Sequence, residues 1–174
     1  MLINFVGSGM KSRSLTLDQS RSVLEFCRSA GATLFTVNFV YAKDDESEKL
    51  MREFYERLSQ FSWGEKDLEN ICGDGFSRQS CYVLNERSIE AILNETGGDV
   101  LAYNVLELPE DWLFYVDNMI LLQIVTHEQE ATLRISEVQY SEFKKLGIPH
   151  TPGCPRWSGL PEEPTRLPRQ RQPS

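Results

Sequence analysis

Two periods of apolar residues organise this chain. Leu2–Val6 is a short apolar run stopped by Gly7-Ser8-Gly9, which predicts a first strand. Thr16-Leu17-Asp18-Gln19 fits a capping box. Val23, Leu24, Phe26, Cys27 and Ala30 then recur at helical spacing as far as Gly31. Within Ala32–Tyr41 the period changes to two. Phe35, Val37, Phe39 and Tyr41 fall on one face, Thr36 and Asn38 on the other, which predicts a strand. Asp44, Asp45 and Glu46 introduce a second helix through Phe61, with acids at its positive end. Its stripe is Leu50, Met51, Phe54, Tyr55, Leu58 and Phe61, and Glu48→Arg52 and Glu53→Arg57 are favourable i,i+4 pairs.

Ser62–Ser80 has no clean period. A short helix around Glu65–Cys72, ended by Gly73-Asp74-Gly75, is the expectation there, followed by a strand at Cys81–Leu84. Asn85 caps a third helix bearing Ile89, Ile92 and Leu93, and Gly97-Gly98 ends it. The last third is strand-dense. Val100–Leu106 precedes Trp112–Val116, and Asp117-Asn118 is a two-residue hairpin signal leading into Met119–Thr126. His127–Glu130 reads as a turn and Ala131–Ile135 as a strand. A second capping box, Ser136-Glu137-Val138-Gln139, opens a final helix closed by Gly147. An alternating start and a meander finish predict an α+β fold. The sheet is expected to be mixed or mainly antiparallel, with about four helices and a C-terminal β-meander followed by a helix.

Length and charge refine this picture. The 174 residues suit one domain. Seven of the eight prolines lie from Pro149 onward, so residues 1–149 are expected to form the globular domain and 150–174 a Pro- and Arg-rich disordered tail. The tail also contains three PxxP matches of the kind that adopt extended polyproline conformation. The formal net charge of -8 divides the same way. Met1–Pro149 carries 14 basic and 24 acidic side chains, a net of -10, and the tail has four arginines against two glutamates. A domain this acidic argues against nucleic acid as a partner. The apolar run Met119–Val125 is broken by Gln123 and is too short to span a bilayer, and no basic region precedes Leu2–Val6. A cytoplasmic location without membrane contact is the expectation.

Candidate chemistry is sparse. Cys27 and Cys81 fall in apolar stretches, and with Cys72 and Cys154 they form no CxxC, so neither a zinc site nor a disulfide framework is expected. Gly7-Ser8-Gly9-Met10-Lys11-Ser12 follows a strand but lacks the glycine that a phosphate loop places immediately before its lysine. His127 lies beside Glu128 and Glu130 as a conceivable general base, and His150 stands between prolines at the tail junction. No GxSxG elbow is present. No cofactor and no catalytic residue is assigned.

Acidic clusters rise above this background: Asp44-Asp45-Glu46, Glu65-Lys66-Asp67-Leu68-Glu69, Glu107 with Glu110-Asp111, and Glu128 with Glu130. Trp63 and Trp112 adjoin two of them and would serve as anchors if exposed. The expected binding set is Asp44, Asp45, Glu46, Trp63, Glu107, Glu110, Asp111 and Trp112. It points to a non-enzymatic, acidic protein-binding domain facing a basic protein, for which an immunity- or antitoxin-type neutraliser is a concrete form. The alternative is a small-molecule-binding domain or enzyme, with its site near Gly7–Ser12 or among the acids of the meander.

Overall fold

Local signals act first. Thr16 accepts the N–H of Gln19 at 3.2 Å while the Gln19 side chain accepts the N–H of Thr16 at 3.0 Å, so the capping box that opens the first helix is complete. The same reciprocal pattern forms at Asn85 with Ser88 and at Ser136 with Gln139. Gly31 ends the first helix region at φ +103, a conformation that L side chains rarely adopt.

The computed structural model describes residues 2–5, 14–39, 45–70, 75–102, 109 and 111–152. In chain order its elements are β1 (Leu2–Phe5), α1 (Leu17–Ser29), β2 (Leu34–Asn38), α2 (Asp45–Leu58), β3 (Ser62–Glu69), β4 (Phe76–Val83), α3 (Glu86–Glu95), β5 (Asp111–Val116), β6 (Met119–Val125), β7 (Glu130–Arg134), α4 (Glu137–Lys144) and β8 (Thr151–Pro152). Single 3-10 turns lie at Ser59–Phe61 and Thr126–Glu128. The strands form one eight-stranded sheet in the order β3-β4-β2-β5-β6-β7-β1-β8, and every pair in it is antiparallel. The fold is α+β, with an antiparallel meander β5-β6-β7 followed by α4.

All four described helices bury side chains in one cluster against one face of this sheet. Leu24 and Phe26 of α1, Phe54 and Leu58 of α2, Ile89 and Ile92 of α3 and Phe143 of α4 meet Phe35, Trp112, Phe114, Leu122, Ile124 and Leu133 from the strands. The other face carries a smaller cluster built from strands alone: Leu34, Leu68, Cys81, Leu113, Tyr115 and Ile120. Strand β2 is therefore buried on both faces, and Thr36 sits against the Tyr115 hydroxyl at 3.4 Å.

The sheet curls around that smaller cluster. Strands β4, β2 and β5 separate β3 from β6 in hydrogen-bonding order. Yet the Glu69 N–H at the end of β3 donates to the Asn118 carbonyl at 2.9 Å, and the Ile120 N–H of β6 donates to the Glu69 carboxylate at 2.7 Å. The Glu69 carboxylate also accepts from both terminal nitrogens of the Arg134 guanidinium, at 3.1–3.2 Å. The hairpin β3-β4 thus closes over the smaller cluster, to which it contributes Leu68 and Cys81.

Four local readings differ from the structure. The short helix around Glu65–Cys72 is instead the strand β3, paired with β4 from Ser62↔Tyr82 to Glu69↔Phe76. Its charged alternation resembles a helix face, but cross-strand partners decide it: Arg78 reaches Glu65 at 3.4 Å and Asp67 at 3.9 Å. Arg57 does not pair along its own helix; it bonds Glu95 of α3 through Nε at 2.6 Å and Nη2 at 2.9 Å. Of the strand expected at Val100–Leu106, Val100 and Leu101 form a buried turn, and residues 103–108 lie outside the described residues. Residues 150–152, placed with the tail by their prolines, join the body. Thr151 pairs with Asn4, and the His150 ring packs edge-on against Phe143 and Tyr140.

Candidate functional site

Register across the meander gathers the site. Asp111 of β5 pairs with Val125 of β6, and Val125 pairs with Glu130 of β7. Two residues along, Leu113 pairs with Gln123 and Gln123 with Thr132. Paired residues share a face, so both rows lie opposite the helices. The alternate residues Trp112, Ile124 and Ala131 enter the helix-covered core. Past Val125 the chain makes its 3-10 turn, and Gln129 at φ +52 turns it back into β7. The turn sets His127 and Glu128 at the rim.

The result is a depression of about 310 Å³ on the helix-free face. It is lined by Asp111, Gln123, Val125, His127, Glu128, Glu130 and Thr132. It occupies the end of the meander away from the Glu69–Arg134 contact. Val125 gives it an apolar floor between the Asp111 and Glu130 carboxylates. His127 Nε2 lies 4.0 Å from Glu128 Oε1. Among the described residues, no hydrogen bond or ion pair reaches the Glu130 carboxylate, which is half-buried. Gln123 is 7% exposed, and among the described residues no group bonds its side-chain amide. Three carboxylates, one imidazole and one nearly buried amide thus converge. Their chemistry suits a cation that also donates hydrogen bonds.

Other acids are spent within the fold. Glu65 and Asp67 face Arg78, and Glu69 holds Arg134. Glu90 pairs with Arg21, and Glu95 with Arg57. Asp45 and Glu46 lie exposed in the first turn of α2, where they oppose the positive end of the helix.

The expected binding set is dispersed by this geometry. Asp111 lines the depression. Trp63 is 62% exposed on the edge strand β3, but it does not line the depression. Trp112 is 1% exposed and packs against Phe35 and Phe54, so it is a core residue and cannot anchor a partner. The alternation of β5 explains this: next to the outward Asp111, Trp112 must face inward. Asp44, Glu107 and Glu110 lie outside the described residues, as does Gly7–Ser12. Glu128, Glu130 and Gln123 were not in the set. The sequence marks them as an acidic pair and as a polar break in an apolar strand.

Among the described residues no group of His, Cys, Asp and Glu is arranged to hold a metal ion. No described helix is long and apolar enough to cross a membrane. No protein-family model matches the chain, and neither a curated protein nor a solved structure is similar to it.

Proposed function

We propose that this chain is a non-enzymatic binding domain that recognises a basic protein through the helix-free end of its meander. The observation that carries this is the convergence of Asp111, Glu128 and Glu130 on one depression, with no cation on Glu130 among the described residues. The folded chain neutralises several of its other acids with its own arginines, whereas among the described residues none reaches Glu130. A carboxylate face of this kind steers a cationic protein toward it and holds charged side chains by charge-assisted bonds. The exposed His127 and Glu128 leave the rim accessible to a surface as large as a protein.

The test uses fluorescent peptides bearing several arginines or lysines as stand-ins for the basic partner. Binding to the full chain should weaken steeply between about 50 mM and about 300 mM salt. Neutralising the depression with Asp111→Asn, Glu128→Gln and Glu130→Gln together should weaken it at least about tenfold. Neutralising Asp45 and Glu46 on α2 should change it less than about twofold. A complex indifferent to salt, or to the triple variant, would overturn the proposal.

A further inference from the structure

We infer that the depression is a guanidinium receptor, and that Gln123 sets its preference for arginine-type over lysine-type cations. The inference takes the cationic partner of the proposed function as its starting point and names the group that enters.

Gln123 is the observation that goes beyond a cluster of acids. It is more than nine-tenths buried, it lines the depression, and among the described residues no group bonds its amide. A primary amide offers two N–H donors and a carbonyl acceptor. Nearly all such buried groups are satisfied, and one left open is destabilising. The little exposure that Gln123 retains opens into the depression, so a ligand there completes it.

The surroundings select the ligand. Val125 lies between Asp111 and Glu130 in one row across the strands, an apolar floor with carboxylates on both sides. A guanidinium is planar and weakly hydrated, with donors around its edge. Its face can rest on Val125 while its N–H groups reach the Glu130 carboxylate and the Gln123 carbonyl. An ammonium is a strongly hydrated point charge with no apolar face. It would use the carboxylates and leave the amide unmet. The volume of about 310 Å³ suits one such head group with its stem. An arginine side chain of a protein and a free guanidino compound carry the same chemistry.

The experiment compares a four-arginine peptide, its four-lysine counterpart and agmatine on the full chain. The arginine peptide should bind about tenfold more tightly than the lysine peptide. Gln123→Leu should lower the arginine-peptide affinity about tenfold and so remove that difference. On the unsubstituted protein, agmatine should shift the Gln123 side-chain amide resonances, which tests the contact without a variant. Peptide tighter than agmatine identifies a protein-borne arginine as the occupant. Agmatine binding without either peptide identifies a free guanidino compound and overturns the basic-protein function. Equal arginine and lysine affinities, a preference that survives Gln123→Leu, or an unmoved Gln123 resonance would overturn the guanidinium receptor and leave salt-sensitive binding of a basic partner standing. Absence of binding by all three probes would overturn both.

Discussion

Glu69 and Arg134 meet across the inside of the curl, from the end of β3 to the end of β7, with three carboxylate–guanidinium contacts of 3.1–3.2 Å. Glu69 is 7% exposed and also accepts the Ile120 N–H. Glu69→Ala therefore removes a charge partner and orphans a backbone donor, and should cost about 2–4 kcal/mol in urea unfolding. Arg134→Ala should cost less, because Glu69 keeps the Ile120 N–H. The double variant should show a coupling of about 1–3 kcal/mol. Additive losses would mean that the contact does not hold the curl.

Two phenols are buried, Tyr115 inside the curl and Tyr82 in the cluster under the helices. Burial pushes Tyr115 up to about 12 from an ordinary 10. Burial, with Tyr55 and Cys81 nearby, does the same to Tyr82. In each case the folded state holds its proton more tightly than the unfolded state. The stabilisation is thus complete below pH ~10 and lost as pH rises through ~12, by about 2–3 kcal/mol for each phenol. Tyr115→Phe should flatten that alkaline decline by one share. An unfolding free energy constant from pH ~9 to ~12 would contradict this.

Trp112 is buried against Phe35 and Phe54 with its indole N–H unpartnered among the described residues. Trp112→Phe keeps a ring in the layer and removes the unmet donor, so its cost should stay near ~1 kcal/mol. Trp112→Ala should cost about 3–5 kcal/mol. Calorimetric unfolding of the two variants separates packing from polarity. Equal losses would show that the indole N–H carries no penalty.

Cys27 and Cys81 are both buried, and burial raises both thiols above their ordinary range. Neither should be alkylated by iodoacetamide in the native protein at neutral pH, and both should be alkylated in urea. Peptide mapping by mass spectrometry reads this directly. Rapid native labelling at either position would mean that its cluster opens locally.

Helix boundaries were legible because capping is local: Thr16, Asn85 and Ser136 each meet a partner three residues on. The strand β3 was not legible, because Glu65 and Asp67 find their cation on β4 rather than on their own segment. The site was half legible. Asp111, Glu128 and Glu130 were visible as acids, but their meeting depends on register. Counting back from the Asp117-Asn118 turn would set Gln123 opposite Trp112. A bulge between Phe114 and Tyr115 shifts the pairing by one residue and sets it opposite Leu113. That single inserted position turns Gln123 away from the core, and no hydrophobic pattern announces it.

Strand β1 is the earliest strand of the sheet to be synthesised, and its neighbours β7 and β8 are the two latest. Leu2 must wait for Arg134 to be made before its ladder can close. On a ribosome, the segment carrying β1 therefore waits without its partners until β7 and β8 have been made, a long-range closure that is slow in chain-entropy terms. The meander and its acidic depression rest on neighbouring strands and can assemble before that last insertion. Ligand binding during synthesis would then precede completion of the sheet.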